Sequence, residues 1–208
     1  MQQISSQKKV LIALGIIALG GVVLQQYVLR AGNRASVALG LGDSTERISV
    51  RADASGWKEY TNTKLGFSVK HPEDVTLRGT PESDLAILTM PTTRTGGKQA
   101  LITLTKKKIP LGQAPYASME EFWKDEERFI AANSGVTTGA RYIDFNDRIF
   151  WEAREDNRQI NYMGLHRYLK QGEAIYEVTL TIEGEKFLES AVSLYNEILA
   201  TFLVTATP

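Results

Sequence analysis

Polarity divides the chain into three unequal stretches. Residues 1–9 are polar and end on Lys8 and Lys9, and Val10 to Leu24 (VLIALGIIALGGVVL) then carries no charged or polar side chain. Those fifteen residues rise roughly 22 Å as a helix, and continuing through Gln25, Gln26, Tyr27, Val28 and Leu29 gives about 30 Å, the thickness of a bilayer's hydrocarbon core. Residues 10–29 therefore read as a transmembrane helix behind a short polar tail, with Tyr27 at the interface and Arg30 beyond it. An apolar surface on every side argues against a helix of a soluble domain. A cleavable signal peptide shares the two lysines and the short apolar run. Its small-residue cleavage site fits poorly, because Ser36-Val37-Ala38 lies far past Leu24. The expectation is a retained anchor.

Residues 30–56 lose all period. Gly32, Gly40, Gly42 and Gly56 stand among Ser, Asp, Asn and Arg, the composition of a flexible spacer, with Ile48 to Val50 as a short candidate strand. From Trp57 the pattern becomes that of a folded domain, residues 57–208. Strand-like runs occupy Phe67–Lys70, Leu85–Met90, Ala100–Lys107, Arg141–Phe145, Arg148–Arg154, Asn161–Leu169 and Ala174–Ile182. The last two flank Lys170-Gln171-Gly172-Glu173, a glycine-containing hairpin connection. Strands joined so closely must run antiparallel, since a parallel crossover needs a dozen or more residues.

Two helices interrupt the strands. Ser118 and Glu121 form a capping box that opens Met119–Ala132, where Met119, Phe122, Trp123, Phe129 and Ile130 recur at helical spacing. The second, Glu185 to about Phe202, places Phe187, Leu188, Ala191, Val192, Tyr195, Ile198 and Leu199 on one stripe. Each stripe needs a surface to bury it, and an antiparallel sheet supplies one, so the fold class is an α+β sandwich.

Composition changes this picture little. Lys+Arg and Asp+Glu balance at 24 each, so no field of one sign is available to bind nucleic acid. The absence of cysteine removes disulfides, thiolate nucleophiles, zinc–thiolate sites, iron–sulfur clusters and a lipoprotein anchor. Flanking charge barely orients the anchor: Lys8 and Lys9 face Arg30 and Arg34, and the free amino terminus tips the balance toward an N-inside arrangement.

Candidate chemistry is sparse. No nucleophile elbow, Walker loop, dinucleotide fingerprint or metalloprotease motif occurs, and Gly96-Gly97-Lys98 reads as a turn. His71 and His166 are the two histidines; either becomes a base or metal ligand only if the fold brings carboxylates to it. Lys106, Lys107 and Lys108 offer contact with an acidic partner or a lipid headgroup, against the plainer reading of a solvated strand edge. Glu120, Glu121, Asp125, Glu126 and Glu127 read as the outer face of a helix rather than a cation site. Trp123, Phe150, Trp151 and Tyr162 read as core.

The stretch Tyr60-Thr61-Asn62-Thr63-Lys64-Leu65-Gly66-Phe67-Ser68-Val69-Lys70-His71-Pro72 resembles the opening motif of PsbP-like domains, in which a Tyr, a polar turn and Gly-Phe lead into a strand ending in Pro. The resemblance continues at Ser118–Phe122, at His166-Arg167-Tyr168 with Gly172 and Tyr176, and at Ile198–Val204. Val75 stands near where the family usually has a Trp. The resemblance implies an α/β/α sandwich around an antiparallel sheet and a non-catalytic extracytoplasmic protein. Photosystem II extrinsic subunits are the best-known members, but the retained anchor argues against a photosystem role here. The expectation is thus a single-pass protein of the cytoplasmic membrane, its C-terminal domain outside. It would be a binding or assembly module with a protein partner, without cofactor, metal or nucleic acid. The competing expectation is an envelope enzyme or metal-dependent protein using His71 or His166.

Overall fold

A computed structural model of the chain describes residues 46–109, 114–133, 135–184 and 187–205. Its elements, in chain order, are β1 (Glu46–Ile48), β2 (Lys58–Asn62), β3 (Phe67–His71), β4 (Thr76–Arg78), β5 (Leu85–Thr89), β6 (Ala100–Lys107), α1 (Met119–Ala132), β7 (Val136–Phe145), β8 (Arg148–Asn157), β9 (Tyr162–Gln171), β10 (Ala174–Glu183), α2 (Glu189–Ala200) and β11 (Leu203–Val204). The strands form one eight-stranded sheet in the order β1-β7-β8-β9-β10-β6-β5-β4 and one three-stranded sheet in the order β11-β3-β2.

Alternation along the strands decides which helix each residue meets. Phe150, Leu165, Val178 and Leu180 point to one face and join the larger apolar cluster with Ala191, Leu194, Tyr195, Ile198 and Leu199 of α2. Trp151, Ala153, Tyr168 and Ile175 have the opposite parity and pack against Met119, Phe122, Trp123 and Ile130 of α1. The small sheet closes the larger cluster through Tyr60, Phe67 and Val69, with Phe67 and Phe202 ring to ring at 5.4 Å.

Helix α1 starts where its capping residues put it. The Ser118 hydroxyl accepts the Glu121 amide at 3.2 Å, and the Glu121 carboxylate reaches back to the Ala117 amide at 2.9 Å. Helix α2 has no side-chain cap, but at its C-terminal end the Arg148 guanidinium donates to the carbonyls of Leu199, at 3.1 Å, and Phe202. A cation there satisfies open carbonyls and complements the helix dipole.

The structure confirms a sheet-rich α+β fold with two helices and corrects the sequence reading in several places. The large sheet is mixed, because β1 runs parallel to β7, and β2, β3 and β11 leave it for a separate sheet. Strands β7 and β8 are each ten residues, longer than their apolar runs, since polar ends still complete the hydrogen-bond ladder. Helix α2 begins at Glu189, because Leu188 is extended and serves as its N-cap. Phe129 is 38% exposed and lies off the buried stripe of α1.

Strand β1 also falls inside the stretch read as spacer. It is held by the two-residue turn Asn146-Asp147, both at positive φ (50° and 61°), the geometry that suits a tight hairpin. The Asn146 side chain accepts the Val50 amide and donates to the Val50 carbonyl, both at 2.8 Å. The β9–β10 hairpin narrows to Gly172-Glu173, with Gly172 at φ 59° and Gln171 paired to Ala174. The anchor expected at 10–29, with Lys8 and Lys9, lies outside the described residues. Among the described residues no helix is long and apolar enough to cross a membrane.

Candidate functional site

Of the two histidines, His166 is the one that meets acids. Hairpin register fixes it: Thr179 of β10 and Ala153 of β8 lie opposite it, so Glu177 and Glu155, two residues along each neighbour, share its face. Its Nε2 is 3.1 Å from Glu155 Oε2 and its Nδ1 is 3.2 Å from Glu177 Oε1. All three side chains are buried. The Thr179 hydroxyl donates to Glu177 Oε1 at 3.0 Å, the Tyr162 hydroxyl to Glu155 Oε1 at 2.7 Å, and the Tyr168 ring stacks on the imidazole at 6.1 Å.

Two glycines make room for this arrangement. A Cβ on Gly164 would lie 2.6 Å from His166 Nε2, and one on Gly135 would lie 2.4 Å from Glu155 Oε1. Any larger residue at either place would push the ring or the carboxylate out of position.

From Glu177 the polar row runs on to α1. Lys107 Nζ stands 3.0 Å from Glu177 Oε2 and 2.6 Å from Glu126 Oε1, and the Tyr168 hydroxyl donates to that same Glu126 oxygen at 3.2 Å. Glu126 thus occupies the inward stripe of α1, between Trp123 and Ile130, which corrects its place on the outer face.

Electrostatics fix the protonation of the row. Burial alone would push the His166 pKa down, but the hydrogen bonds and charges of Glu155 and Glu177 prevail and raise it to about 9. Burial would raise Glu177; the charge of Lys107 and the hydrogen bond from His166 instead hold it well below the usual carboxylate range. Burial would likewise raise Glu155, and the His166 and Tyr162 contacts hold it low. At neutral pH His166 is therefore an imidazolium donating to both carboxylates. Neither ring nitrogen keeps a lone pair with which to take a proton or bind a metal.

The other candidate residues do not converge. His71 is buried, its hydrogen-bonding partner is the Pro72 carbonyl at 2.9 Å, and no carboxylate among the described residues pairs with it. Lys106 and Lys107 point to opposite faces: the Lys106 ammonium lies 5.8 Å from the Tyr176 ring centroid, and Lys107 is committed to the buried row. Lys108 is exposed, 3.7 Å from Asp84. The solvated-edge reading holds only for the end of β6, since β5 pairs with it from Leu101 to Thr105. A hollow of about 460 Å³ is lined by Val136, Asp156, Arg158 and Gln159 and contains neither histidine. Among the described residues no group of three His, Cys, Asp or Glu is placed to hold a metal ion.

The motif at Tyr60–Pro72 serves the architecture. Asn62 is fully buried, donates to the Ser83 carbonyl (2.9 Å) and the Tyr60 hydroxyl (3.0 Å), and accepts the Leu65 amide at 2.8 Å. Gly66, at φ 75°, turns the chain back into β3. The motif organises a hairpin and a loop.

No family model matches the chain, and no curated protein matches it. Among solved structures it is similar to a protein of Bacteroides thetaiotaomicron VPI-5482, at 15% identity and TM-score 0.43 over 72% of this chain and 48% of that one. The chain therefore spans about half the length of that protein. It is also similar to the Ran-binding protein Mog1p of Saccharomyces cerevisiae, at 9% identity and TM-score 0.49 over 73% of this chain and 96% of that one. A third similarity is to a Pseudomonas aeruginosa protein of unknown function, PA94, at 10% identity and TM-score 0.39 over 61% of this chain and 83% of that one.

Proposed function

We propose that the chain is a non-catalytic binding or assembly module, tethered by its N-terminal apolar segment at the outer face of a cytoplasmic membrane, of the PsbP-like kind that its opening motif resembles. One observation carries the non-catalytic part. The histidine that stands beside two acids, His166, is buried and gives both ring nitrogens to them. A general base needs a free lone pair within reach of a substrate, and a metal ligand needs one directed at the ion. His166 offers neither while it is doubly protonated. The membrane placement is supported by the run Val10–Leu24 and its extension to Leu29.

The test is affinity capture of the full-length protein from detergent-solubilised membranes, beside its H166Q variant assayed for hydrolytic and metal-dependent activity. The expected result is a stably co-purifying protein partner and no activity that depends on His166. Recovery of no partner, together with metal retained through a chelating wash or an activity abolished by H166Q, overturns the reading.

A further inference from the structure

The charged row beneath α1 has two attachments to that helix. At one end Glu126, on the helix itself, is gripped by Lys107 and Tyr168. At the other, Glu155 lies against Gly135, three residues past the helix, whose amide donates to the Ile130 carbonyl at 3.0 Å. The groups facing His166 are Glu155 from β8, Tyr162 and Tyr168 from β9, Glu177 and Thr179 from β10, and beyond Glu177, Lys107 from β6 and Glu126 from α1. Glu126, Glu155 and Glu177 are three carboxylates held against two cations, Lys107 and His166.

Removing one proton from His166 leaves three carboxylates to one ammonium. A neutral imidazole donates through one nitrogen only, so either Glu155 or Glu177 also loses a hydrogen bond. Glu155 and Glu177 sit on paired strands of the sheet, whereas Glu126 rides on a helix packed over it. The apolar contact holding α1 is the smaller of the two clusters, and within it the buried indole N–H groups of Trp123 and Trp151 find no acceptor among the described residues. Unsatisfied donors of this kind weaken the seat.

We propose that the row Glu126–Lys107–Glu177–His166–Glu155 is a pH-operated latch: α1 is seated on the sheet while His166 holds both ring protons, and lifts from it when one is lost, with the α2 face remaining folded. The released surface is the aromatic cluster of Phe122, Trp123, Trp151 and Tyr168.

Segment-resolved amide hydrogen exchange on the full-length protein in detergent, between pH 7 and pH 10 and corrected for intrinsic rates, tests this alongside an NMR titration of the His166 ring. Protection of α1 is expected to fall by about tenfold or more, with a midpoint tracking the ring titration, while α2, β6 and β10 keep theirs. In H166Q, α1 should already be weakly protected at pH 7 and insensitive to pH. In E126Q, the ring should still titrate while α1 protection no longer follows it. The proposal is overturned if α1 and α2 lose protection together, if α1 stays protected through the titration, or if the ring titrates near the ordinary histidine value.

Discussion

Each face of the large sheet buries charge, but with different chemistry. Beneath α2 the charge is Arg167, whose Nε and Nη2 each lie 2.8 Å from Glu152 Oε2 and whose Nη1 donates to Asn196 at 2.6 Å. Its guanidinium sits between Phe145 and Tyr195, about 5 Å from each ring centroid, inside the larger apolar cluster. Beneath α1 the charge is a row that depends on an imidazolium, next to a smaller cluster with two indole donors that find no acceptor among the described residues. Arginine keeps its proton at any pH a protein survives, whereas histidine gives up its own within reach. The same desolvation problem therefore has a permanent solution on one face and a conditional one on the other.

The largest test of that contrast is truncation. Leu199→Ala, fully buried under the main core, should cost about 4 kcal/mol in urea unfolding, and Ile130→Ala on α1 about 2 kcal/mol. Equal losses would show that the two faces are equally integral to the fold. Next is Arg167→Leu, which leaves Glu152, among the described residues, with Arg141 alone at 3.4 Å; a loss of roughly 3 kcal/mol is expected. That loss should be independent of pH between 6 and 10, and a pH-dependent loss would remove the distinction drawn here.

The His166 pairing should behave in the opposite way. Its pKa rises from 6.5 to about 9 on folding, so its stabilisation is complete below the unfolded value and is lost as pH climbs through the folded one. The difference is roughly 3 kcal/mol, to be read as falling stability from about pH 6.5 to above 9, and absent in H166Q. A flat profile would refute the geometry. Smaller still is Gly164→Ala: the added methyl displaces the ring, costs about 1–3 kcal/mol and moves the histidine titration downward. Smallest is Ser118→Ala, which removes the α1 cap for about 1 kcal/mol in a denaturation curve.

The hydrophobic periods made much of this fold legible. The strand at Ala100–Lys107 and the helix at Met119–Ala132 coincide with their patterns, because the aliphatic run of the one and the apolar stripe of the other are buried and each caps or ends where its polarity changes. What escaped, or was placed two residues late as the candidate strand Ile48 to Val50 was, was held by side chains at a distance. Strand β1 has no period of its own and exists through the turn of β7 and β8 and the Asn146 clamp. The site was half legible. Once Gly172-Glu173 is taken as a two-residue turn, counting back along both strands puts Glu177 diagonal to His166 on one face. Glu155 required the β8–β9 register, and the inward place of Lys107 and Glu126 required a helix crossing, which no local pattern encodes.

The clamp at β1 has a mechanical consequence. A load entering the domain at Glu46 along the strand is carried by β1 lying parallel to β7, so its pairs with Ile143, Asp144 and Phe145 are strained together rather than one after another. Behind them the two bonds between Asn146 and Val50 act as a stop. Replacing Asn146 would remove that stop, loosen β1 at its C-terminal side and lower the pull at which the domain yields.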